Sequence, residues 1–218
     1  MSQLYRALVS RNIVKEGHFI LRSGKHSDKY ISKDRICIHP NLYADVLEDL
    51  IKEADHIREE KRIKHDMITS PAVAGICFGS PVAYMRDMPF VYPEKVMIPF
   101  NIGSAKGKKF KMEYRADFKP ALEGRKVLLI EDIITTGVSS MKTIEAVQEC
   151  GGEVVAVLCI WNRSPKHKPL TYFLSGGKEI PNYSLISEPV ESWEPGECPL
   201  CKEGVKLFDP KTNTVVEG

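Results

Sequence analysis

The segment that most constrains the fold of this chain is VLLIEDIITTGVSS, at residues 127–140. It begins with four aliphatic residues, Val127–Ile130, a run typical of a strand buried on both faces of a parallel sheet. Glu131 and Asp132 follow at the carboxyl end of that strand, where open α/β sheets bind their ligands. The segment therefore predicts a strand, a polar ligand-binding turn and a helix from Ser139 to Cys150.

The turn in this segment has the chemistry of a phosphate site. It supplies hydroxyl groups, a glycine that can adopt positive φ, and successive backbone N–H groups at a helix N-terminus. Its residues are Thr135, Thr136, Gly137, Val138 and Ser139. Two carboxylates beside a phosphate site require a ligand group that neutralises them or donates hydrogen bonds to them. Sugar hydroxyls or a divalent cation would do so.

Neither a Walker A loop nor a GxGxxG motif fits the spacing of this turn. The alternative to a ligand site is a capped helix after a strand, with an acidic pair that merely faces water. We prefer the ligand site because the apolar strand, the acidic pair and the hydroxyl–glycine turn occur in that order within one short segment.

Short strands and amphipathic helices alternate along the rest of the chain. This alternation, with short connections, predicts an α/β fold with a doubly wound parallel sheet, a small N-terminal lobe (the hood) and a C-terminal tail. We expect helices over 2–12, over 41–56 and from near Ser80, and strands at Met67–Ser70, Phe90–Tyr92, Lys126–Ile130 and Glu153–Trp161. We expect one domain over 1–218, with 1–40 and part of the C-terminal segment as the hood, 41–165 as the core and 193–218 as a surface tail.

The composition excludes several classes of protein. Hydrophobic residues make up 43% of the chain and charged residues 28%, as in an ordinary globular protein. A net charge of +2 gives no reason to expect nucleic acid as a partner. No apolar run is long enough to span a bilayer, and the N-terminus is amphipathic, unlike a signal peptide. We expect a cytoplasmic protein with no membrane partner.

The six cysteines are expected to be reduced, because most stand singly in apolar or helical patterns. Cys198 and Cys201 form a single CxxC pair, which we interpret as a turn of the tail with reduced thiols. A zinc site there would need further ligands, from histidines or from a second subunit. We therefore predict no protein-held metal.

VLLIEDIITTGVSS resembles the phosphoribosyl diphosphate (PRPP) signature of the type I phosphoribosyltransferases. The resemblance implies that Glu131 and Asp132 bind the ribose hydroxyls and that the turn Thr135–Ser139 holds the 5′-phosphate. The loop after the strand at 67–70 matches the family's pyrophosphate loop in position and in its small residues, which are Ala72, Val73, Ala74 and Gly75. The alternative for this loop is a tight strand–helix turn.

Other segments resemble the orotate phosphoribosyltransferases in particular. These are EGHFILRSGKHSDKYISK at 16–33, NRS at 162–164 and ESWEPGECPLCKEGVKL at 191–207. Orotate carries a carboxylate, which an arginine fork matches in a bidentate fashion, and Arg163 follows a strand where such a fork is needed. The imide edge of orotate also needs donors and acceptors, which the backbone of Tyr30, Ile31 and Ser32 could supply. Lys25, or Lys29 nearby, could approach the orotate or the phosphates, and Thr135 is a further expected contact of orotate.

The reaction implied by the resemblance is displacement at the ribose C1, with pyrophosphate leaving together with Mg²⁺. Substrate oxygens and water would hold most of the Mg²⁺, as this small hard cation prefers. The residues implied to be catalytic are Asp132 and the lysines Lys95, Lys106, Lys108 and Lys109, the latter in a flexible loop shared across a homodimer. The alternative for these lysines is a solvated basic loop, and Glu94 stands where family members often carry Arg.

Two other functions stay open at this point. The chain could transfer phosphoribosyl to another base, such as a purine, if the altered loop excluded a carboxylated ring. It could also be a non-catalytic regulator that senses PRPP and binds nucleic acid through the lysine cluster, in which case its affinity would depend strongly on salt. The low net charge and the complete acidic pair favour the enzyme.

Overall fold

The computed structural model describes residues 2–21, 23–102, 105–164, 172–173, 177–212 and 214–216. Its α-helices are α1 Gln3–Ser10, α2 Pro40–Glu59, α3 Ile76–Met85, α4 Lys119–Leu122, α5 Val138–Glu149 and α6 Pro199–Lys202. Strands in the first half are β1 Val14–Ile20, β2 His26–Ile31, β3 Met67–Thr69, β4 Phe90–Val91, β5 Glu94–Ile102 and β6 Ala105–Glu113. Those in the second half are β7 Lys126–Ile134, β8 Glu153–Asn162, β9 Tyr172–Phe173, β10 Glu179–Ile180, β11 Asn182–Ser187, β12 Ser192–Trp193, β13 Phe208–Asp209 and β14 Thr214–Val215. Short 3₁₀ helices cover Lys33–Ile38 and Pro195–Glu197.

A five-stranded sheet in the order β11-β8-β7-β3-β4 forms the centre of the molecule, and every neighbouring pair in it is parallel. Alternate residues of β7 point to opposite faces of the sheet. Leu128 and Ile130 pack in one apolar cluster with α1, α2 and α3, whereas Val127 and Leu129 pack in another with α4, α5 and β6. Helices therefore cover both faces, and the predicted doubly wound α/β fold is confirmed.

The hood is a second five-stranded sheet in the order β12-β2-β1-β13-β14. Its outer strands β12, β13 and β14 come from residues 192–215, so part of the segment predicted as a surface tail adds strands to this sheet. Helix α1 lies between the hood and the core, where the ring of Tyr5 meets that of Trp161 at 5.4 Å in an edge-on arrangement. The hydroxyl of Ser2 accepts from the Tyr5 amide and caps α1.

The lysine-rich segment after β4 is an antiparallel hairpin of β5 and β6, rather than the flexible loop predicted. Apolar residues alternate with the lysines of this segment and favour paired strands. Met97 pairs with Phe110 across the ladder, and Lys95 lies 4.0 Å above the Phe110 ring in a cation–π contact. Glu94 forms an ion pair of 3.0 Å with Arg115 at the base of the hairpin.

Helix α3 begins at Ile76, earlier than the predicted start near Ser80, and contains Pro81. A proline lacks the N–H that would bond to the carbonyl four residues before it, here that of Cys77. The Tyr43 hydroxyl from α2 donates to this carbonyl instead.

None of the described helices combines the length and the apolar composition needed to cross a membrane.

Candidate active site

A cavity of about 210 Å³ opens at the carboxyl ends of β3 and β7. Three parts of the chain line it: Lys33 at the end of the hood, the loop over 71–74, and the segment over 131–140. Two of these lie at the carboxyl ends of neighbouring parallel strands, which share one edge of the sheet. The fold therefore brings together the acidic pair, the turn and the small-residue loop that the sequence predicted as one site.

The acidic pair lies inside strand β7, not in a loop after it as predicted. The strand continues to Ile134 because β8 extends equally far, with Glu131 opposite Cys159 and Ile133 opposite Trp161. Glu131 is 6% exposed and Asp132 is 2% exposed, so both carboxylates are nearly removed from bulk water. They are held rigidly at the edge of the cavity.

Hydrogen bonds fix the Glu131 carboxylate. Its Oε2 accepts from the Ser140 hydroxyl at 3.2 Å, and its Oε1 accepts from the Asp132 amide at 3.2 Å. Ser140 also lines the cavity but was missed from the sequence. Its position in the first turn of a helix, directly after the predicted turn residues, was the available signal.

Lys33 provides the positive charge closest to the pair, and the sequence analysis did not single it out. Its Nζ lies 2.5 Å from Oδ2 of Asp132, and its side chain is 39% exposed. A buried carboxylate without a cation would be costly, and this ion pair reduces that cost. The signal for Lys33 was its place directly after Tyr30–Ser32, which the sequence did assign to the site.

The two carboxylates have different electrostatic environments. Burial, together with the negative charge of Asp132 beside it, raises the pKa of Glu131 to about 8 from its ordinary value of 4.5. Asp132 has the direct contact with Lys33. At neutral pH the site therefore holds a proton on Glu131, which a cation or a set of hydroxyl donors would displace.

This shift predicts that stability depends on pH through Glu131. Between about pH 4.5 and 8 the folded chain binds this proton more tightly than the unfolded chain, so its stability decreases as the pH rises through this window. Glu131→Gln should remove the dependence, and the variant should gain roughly 2 to 4 kcal/mol relative to the parent between about pH 5 and 8.5. Urea unfolding of the ligand-free chain across this range measures the difference. For the exposed control Glu149→Gln, the curve of unfolding free energy against pH should run parallel to that of the parent. The same parallel course for Glu131→Gln would contradict the assignment.

The turn after β7 has the left-handed glycine and the helix N-terminus that the sequence predicted. Gly137 adopts φ of 69°, a left-handed conformation that costs glycine little, and it caps α5. The Gly137 carbonyl accepts from the Met141 amide at 2.8 Å, so the helix begins directly after the turn. The N–H groups of its first turn have no carbonyl partners within the helix, and with the helix dipole they attract an anion at the cavity.

The loop after β3 is shaped by close backbone contacts. The peptide bond between Ala72 and Val73 is cis, and Val73 is 79% exposed. A Cβ on Gly75 would lie 2.9 Å from the carbonyl oxygen of Pro71 and 3.3 Å from that of Ile130. The absence of a side chain at Gly75 is therefore what allows the loop to turn against the end of β7.

Gly75→Ala is expected to destabilise the chain by about 1–3 kcal/mol, because backbone atoms must move to admit the added methyl group. The melting temperature should then decrease by roughly 2–4 °C for each kcal/mol lost. Gly196→Ala is the matched control, since no atom lies within 4 Å of a Cβ there. Differential scanning calorimetry of the three proteins tests this, and equal melting temperatures would be inconsistent with the contact.

Arg163 follows β8 and lies next to the turn. Its Nε donates to Oγ1 of Thr135 at 2.6 Å, and its amide donates to the Ile134 carbonyl at 2.9 Å. Burial lowers the pKa of its guanidinium, and the negative charge of Asp132 opposes this shift. The guanidinium is thus oriented by Thr135, a residue that lines the cavity, whereas Arg163 itself is not among the lining residues.

Several predicted site residues do not line the cavity in the described part of this chain. Lys25 precedes β2 and pairs with Glu194 at 2.9 Å, whereas Lys33 comes after the other end of that strand. Tyr30 and Ile31 belong to β2, paired with Lys15 and Val14 of β1. Lys95 and Lys109 lie in the hairpin. The side chains of Lys106 and Lys108 lie outside the described residues.

Comparisons with known proteins agree with this geometry. The family described as "Phosphoribosyl transferase domain" matches residues 34–193. The orotate phosphoribosyltransferase of Caldicellulosiruptor bescii is 35% identical over 199 residues, covering 91% of this chain and 90% of the relative. A crystal structure of orotate phosphoribosyltransferase from Aeropyrum pernix aligns with a TM-score of 0.53 at 24% identity, over 74% of this chain and 82% of that one.

The fold is shared with enzymes for other bases. Adenine phosphoribosyltransferase from Trypanosoma brucei, solved with AMP, pyrophosphate and ribose-5-phosphate, aligns with a TM-score of 0.57 at 18% identity, over 85% of this chain and 80% of that one. At such identities the structural likeness shows the fold alone. The sequence relatives, which align over nine-tenths of both chains, are more specific. This chain therefore belongs to the phosphoribosyltransferase family and, within it, to the orotate phosphoribosyltransferases.

Proposed function

We propose that this protein transfers the phosphoribosyl group of PRPP to orotate, giving orotidine 5′-monophosphate and pyrophosphate. The observation that carries the proposal is the position of Arg163, whose guanidinium is hydrogen-bonded to Thr135 beside the phosphate turn and the acidic pair. A base bound there would have its carboxylate near Arg163 and its ring nitrogen near the ribose. This requirement disfavours the purine bases, which carry no carboxylate.

Three parts of the cavity are proposed to bind PRPP. The carboxylates of Glu131 and Asp132 accept hydrogen bonds from the ribose hydroxyls. The turn Thr135–Ser139 receives the 5′-phosphate at the N-terminus of α5, where amides and the helix dipole favour an anion. The loop Ala72–Gly75 receives the pyrophosphate, with the charge of Lys33 close to the anionic end of the site.

Orotate is proposed to bind between Arg163 and the backbone of Tyr30–Ser32, which can complement its imide edge. The base nitrogen attacks C1 of the ribose as the bond from C1 to the pyrophosphate oxygen breaks. The residues of the site contribute by holding both substrates in line and by stabilising charge, rather than by covalent chemistry.

Mg²⁺ is the proposed cofactor, and the donor set fits it. Two nearly buried carboxylates at the cavity add negative charge that attracts a divalent cation to the bound substrate. Substrate oxygens and water would supply most of the coordination, which suits a small hard cation. When bound, the ion neutralises charge on the leaving pyrophosphate.

We further propose that the hairpin of β5 and β6 brings its lysines to the active site of a second subunit in a homodimer. Lys95, Lys106, Lys108 and Lys109 then neutralise the pyrophosphate. Support comes from the position of Lys95 and Lys109 in the hairpin, outside the lining of their own cavity. We also propose that the chain works as one cytoplasmic domain, with 1–40 and part of the C-terminal segment as the hood, which agrees with the free thiols of its described cysteines.

The decisive experiment is a spectrophotometric assay in which orotate, PRPP and Mg²⁺ are mixed with the protein. Turnover is measured as the loss of orotate absorbance. We expect turnover that stops when EDTA removes the Mg²⁺, and no turnover with adenine, guanine or hypoxanthine in place of orotate. No reaction with orotate while the chain still binds PRPP would overturn the choice of base. Salt-sensitive binding of RNA in that case would favour the regulatory alternative.

A further inference from the structure

Two histidines of the hood and two cysteines of the C-terminal segment meet at a point outside the cavity. His18 lies on β1, His26 begins β2, and Cys198 and Cys201 bracket the first turn of α6. One possible ligand atom from each of the four side chains lies within 4.8 Å of all the others. We propose that these four residues, the His₂Cys₂ cluster, bind one structural zinc ion that fastens the C-terminal segment to the hood.

The spacing of the ligand atoms matches zinc coordination. Nε2 of His18 lies 3.1 Å from Nδ1 of His26, 3.4 Å from Sγ of Cys198 and 3.7 Å from Sγ of Cys201. Nδ1 of His26 lies 3.2 Å from Sγ of Cys201. A tetrahedral zinc ion with bonds of about 2.0 Å to nitrogen and 2.3 Å to sulfur separates its ligand atoms by roughly 3.3–3.8 Å. Two of these four separations fall in that range and two lie 0.1–0.2 Å below it, while the remaining two pairs are within 4.8 Å. The four side chains are thus close to the spacing of a tetrahedral site.

The backbone sets the tautomer of His18. Its Nδ1 lies 2.8 Å from the carbonyl oxygen of Val205, and because a carbonyl can only accept, Nδ1 carries the proton. The lone pair of Nε2 is then directed at the other three side chains. Metal-binding histidines commonly use one ring nitrogen for the ion and donate from the other to a carbonyl or carboxylate.

Burial and ligand type both favour a structural zinc ion. His18 is 1% exposed, His26 is 5% exposed and Cys198 is fully buried, while Cys201 lies at the surface. Four protein ligands leave no open position for substrate, which distinguishes structural from catalytic zinc sites. Two sulfurs and two imidazole nitrogens in a tetrahedron are a preferred environment for zinc.

A metal also explains how the C-terminal segment is held. Among its described residues from 191 to 216, only Cys198 and Pro210 are buried. Strand β12 makes two residue pairs with β2, β13 makes one with β1, and the ion pair of Lys25 with Glu194 is exposed. Exposed ion pairs contribute little stability. A metal bound by both the hood and this segment would add its binding free energy to these few contacts.

A disulfide between Cys198 and Cys201 is the competing arrangement. Both cysteines are free thiols in the structure. A disulfide would remove both thiolate ligands and leave the cluster with only its two histidines for a metal. The two arrangements differ in zinc content and in the number of reactive thiols, so a single protein preparation distinguishes them. The test is also independent of the proposed reaction, because it measures metal and not turnover.

The experiment uses the full chain without a histidine tag, purified in the absence of chelators, with zinc measured by inductively coupled plasma mass spectrometry. We expect one zinc ion per chain, and less than about 0.1 per chain in Cys198→Ser and in His18→Gln. Cys37→Ser, which changes an exposed cysteine outside the cluster, should retain the full content.

A second measurement applies if those variants fail to fold. The parent chain is stripped of metal under reducing conditions and titrated with Co²⁺. We expect ligand-field and thiolate charge-transfer bands that saturate at one equivalent and disappear on addition of zinc. The stripped chain should also melt roughly 5 °C or more below the zinc form. A chain that carries no zinc and binds neither ion when reduced would overturn the proposal, as would zinc that stays in both variants.

Discussion

Replacing Glu131 by Gln and Asp132 by Asn together is expected to lower kcat/KM for PRPP by about 10²- to 10⁴-fold. Hydrogen bonds to a charged group contribute roughly 1.5–3 kcal/mol each, and each 1.4 kcal/mol is a factor of ten in rate. The amides keep the shape of the side chains but lose the charge that receives the ribose hydroxyls and the cation. The change at Asp132 would also remove the carboxylate that lies 2.5 Å from the Lys33 ammonium.

The measurement is steady-state kinetics with PRPP varied at saturating orotate. The matched control is Glu48→Gln with Asp49→Asn, an adjacent acidic pair on α2 that contacts Lys52 at the surface. It should keep parental kinetics. The active-site variant should melt no lower than the parent near pH 8, because Glu131→Gln removes a buried carboxyl group whose pKa is raised to about 8. A change of less than threefold in kcat/KM would contradict the assigned role.

Arg163→Ala is expected to raise KM for orotate about 100-fold while changing KM for PRPP much less. A bidentate pair between a guanidinium and a carboxylate is worth roughly 3 kcal/mol when it is shielded from water. Arg163→Lys should recover only part of the loss, since an ammonium cannot form the fork. Orotate and PRPP are each varied in turn in the same assay.

Arg125→Ala is the control, because Arg125 is an exposed arginine whose nearest carboxylate, that of Asp66, lies 4.0 Å away. It should leave both KM values unchanged. An equal rise in KM for both substrates with Arg163→Ala would mean that the residue acts through Thr135 on the phosphate turn rather than on the base. That result would leave the carboxylate of orotate without an assigned partner.

Local features of the sequence were sufficient for the fold class and for the centre of the site. The parallel sheet could be predicted because its strands are short apolar runs, each followed by a helical pattern. The turn at Thr135–Ser139 could be predicted because a glycine and hydroxyl residues must follow the strand directly to form it. Such features depend on neighbours in sequence, so the pattern alone contains them.

Features that join distant segments were missed or misjudged. The Lys33–Asp132 ion pair and the His₂Cys₂ cluster each combine residues from the hood with residues far along the chain. The hairpin of β5 and β6 was predicted as a loop because its lysines outweighed its pairing residues. Strand β7 extends to Ile134 because β8 supports it, a fact that no property of β7 alone reveals.

The sequence by itself thus determined the doubly wound sheet, the acidic pair, the turn at Thr135–Ser139 and the family, since all of these follow from local order along the chain. The tertiary structure alone decided which charge meets Asp132, how Thr135 orients Arg163, and that two histidines face the CxxC pair. Packing between separate segments sets these contacts, and its energy depends on distances that sequence order does not encode.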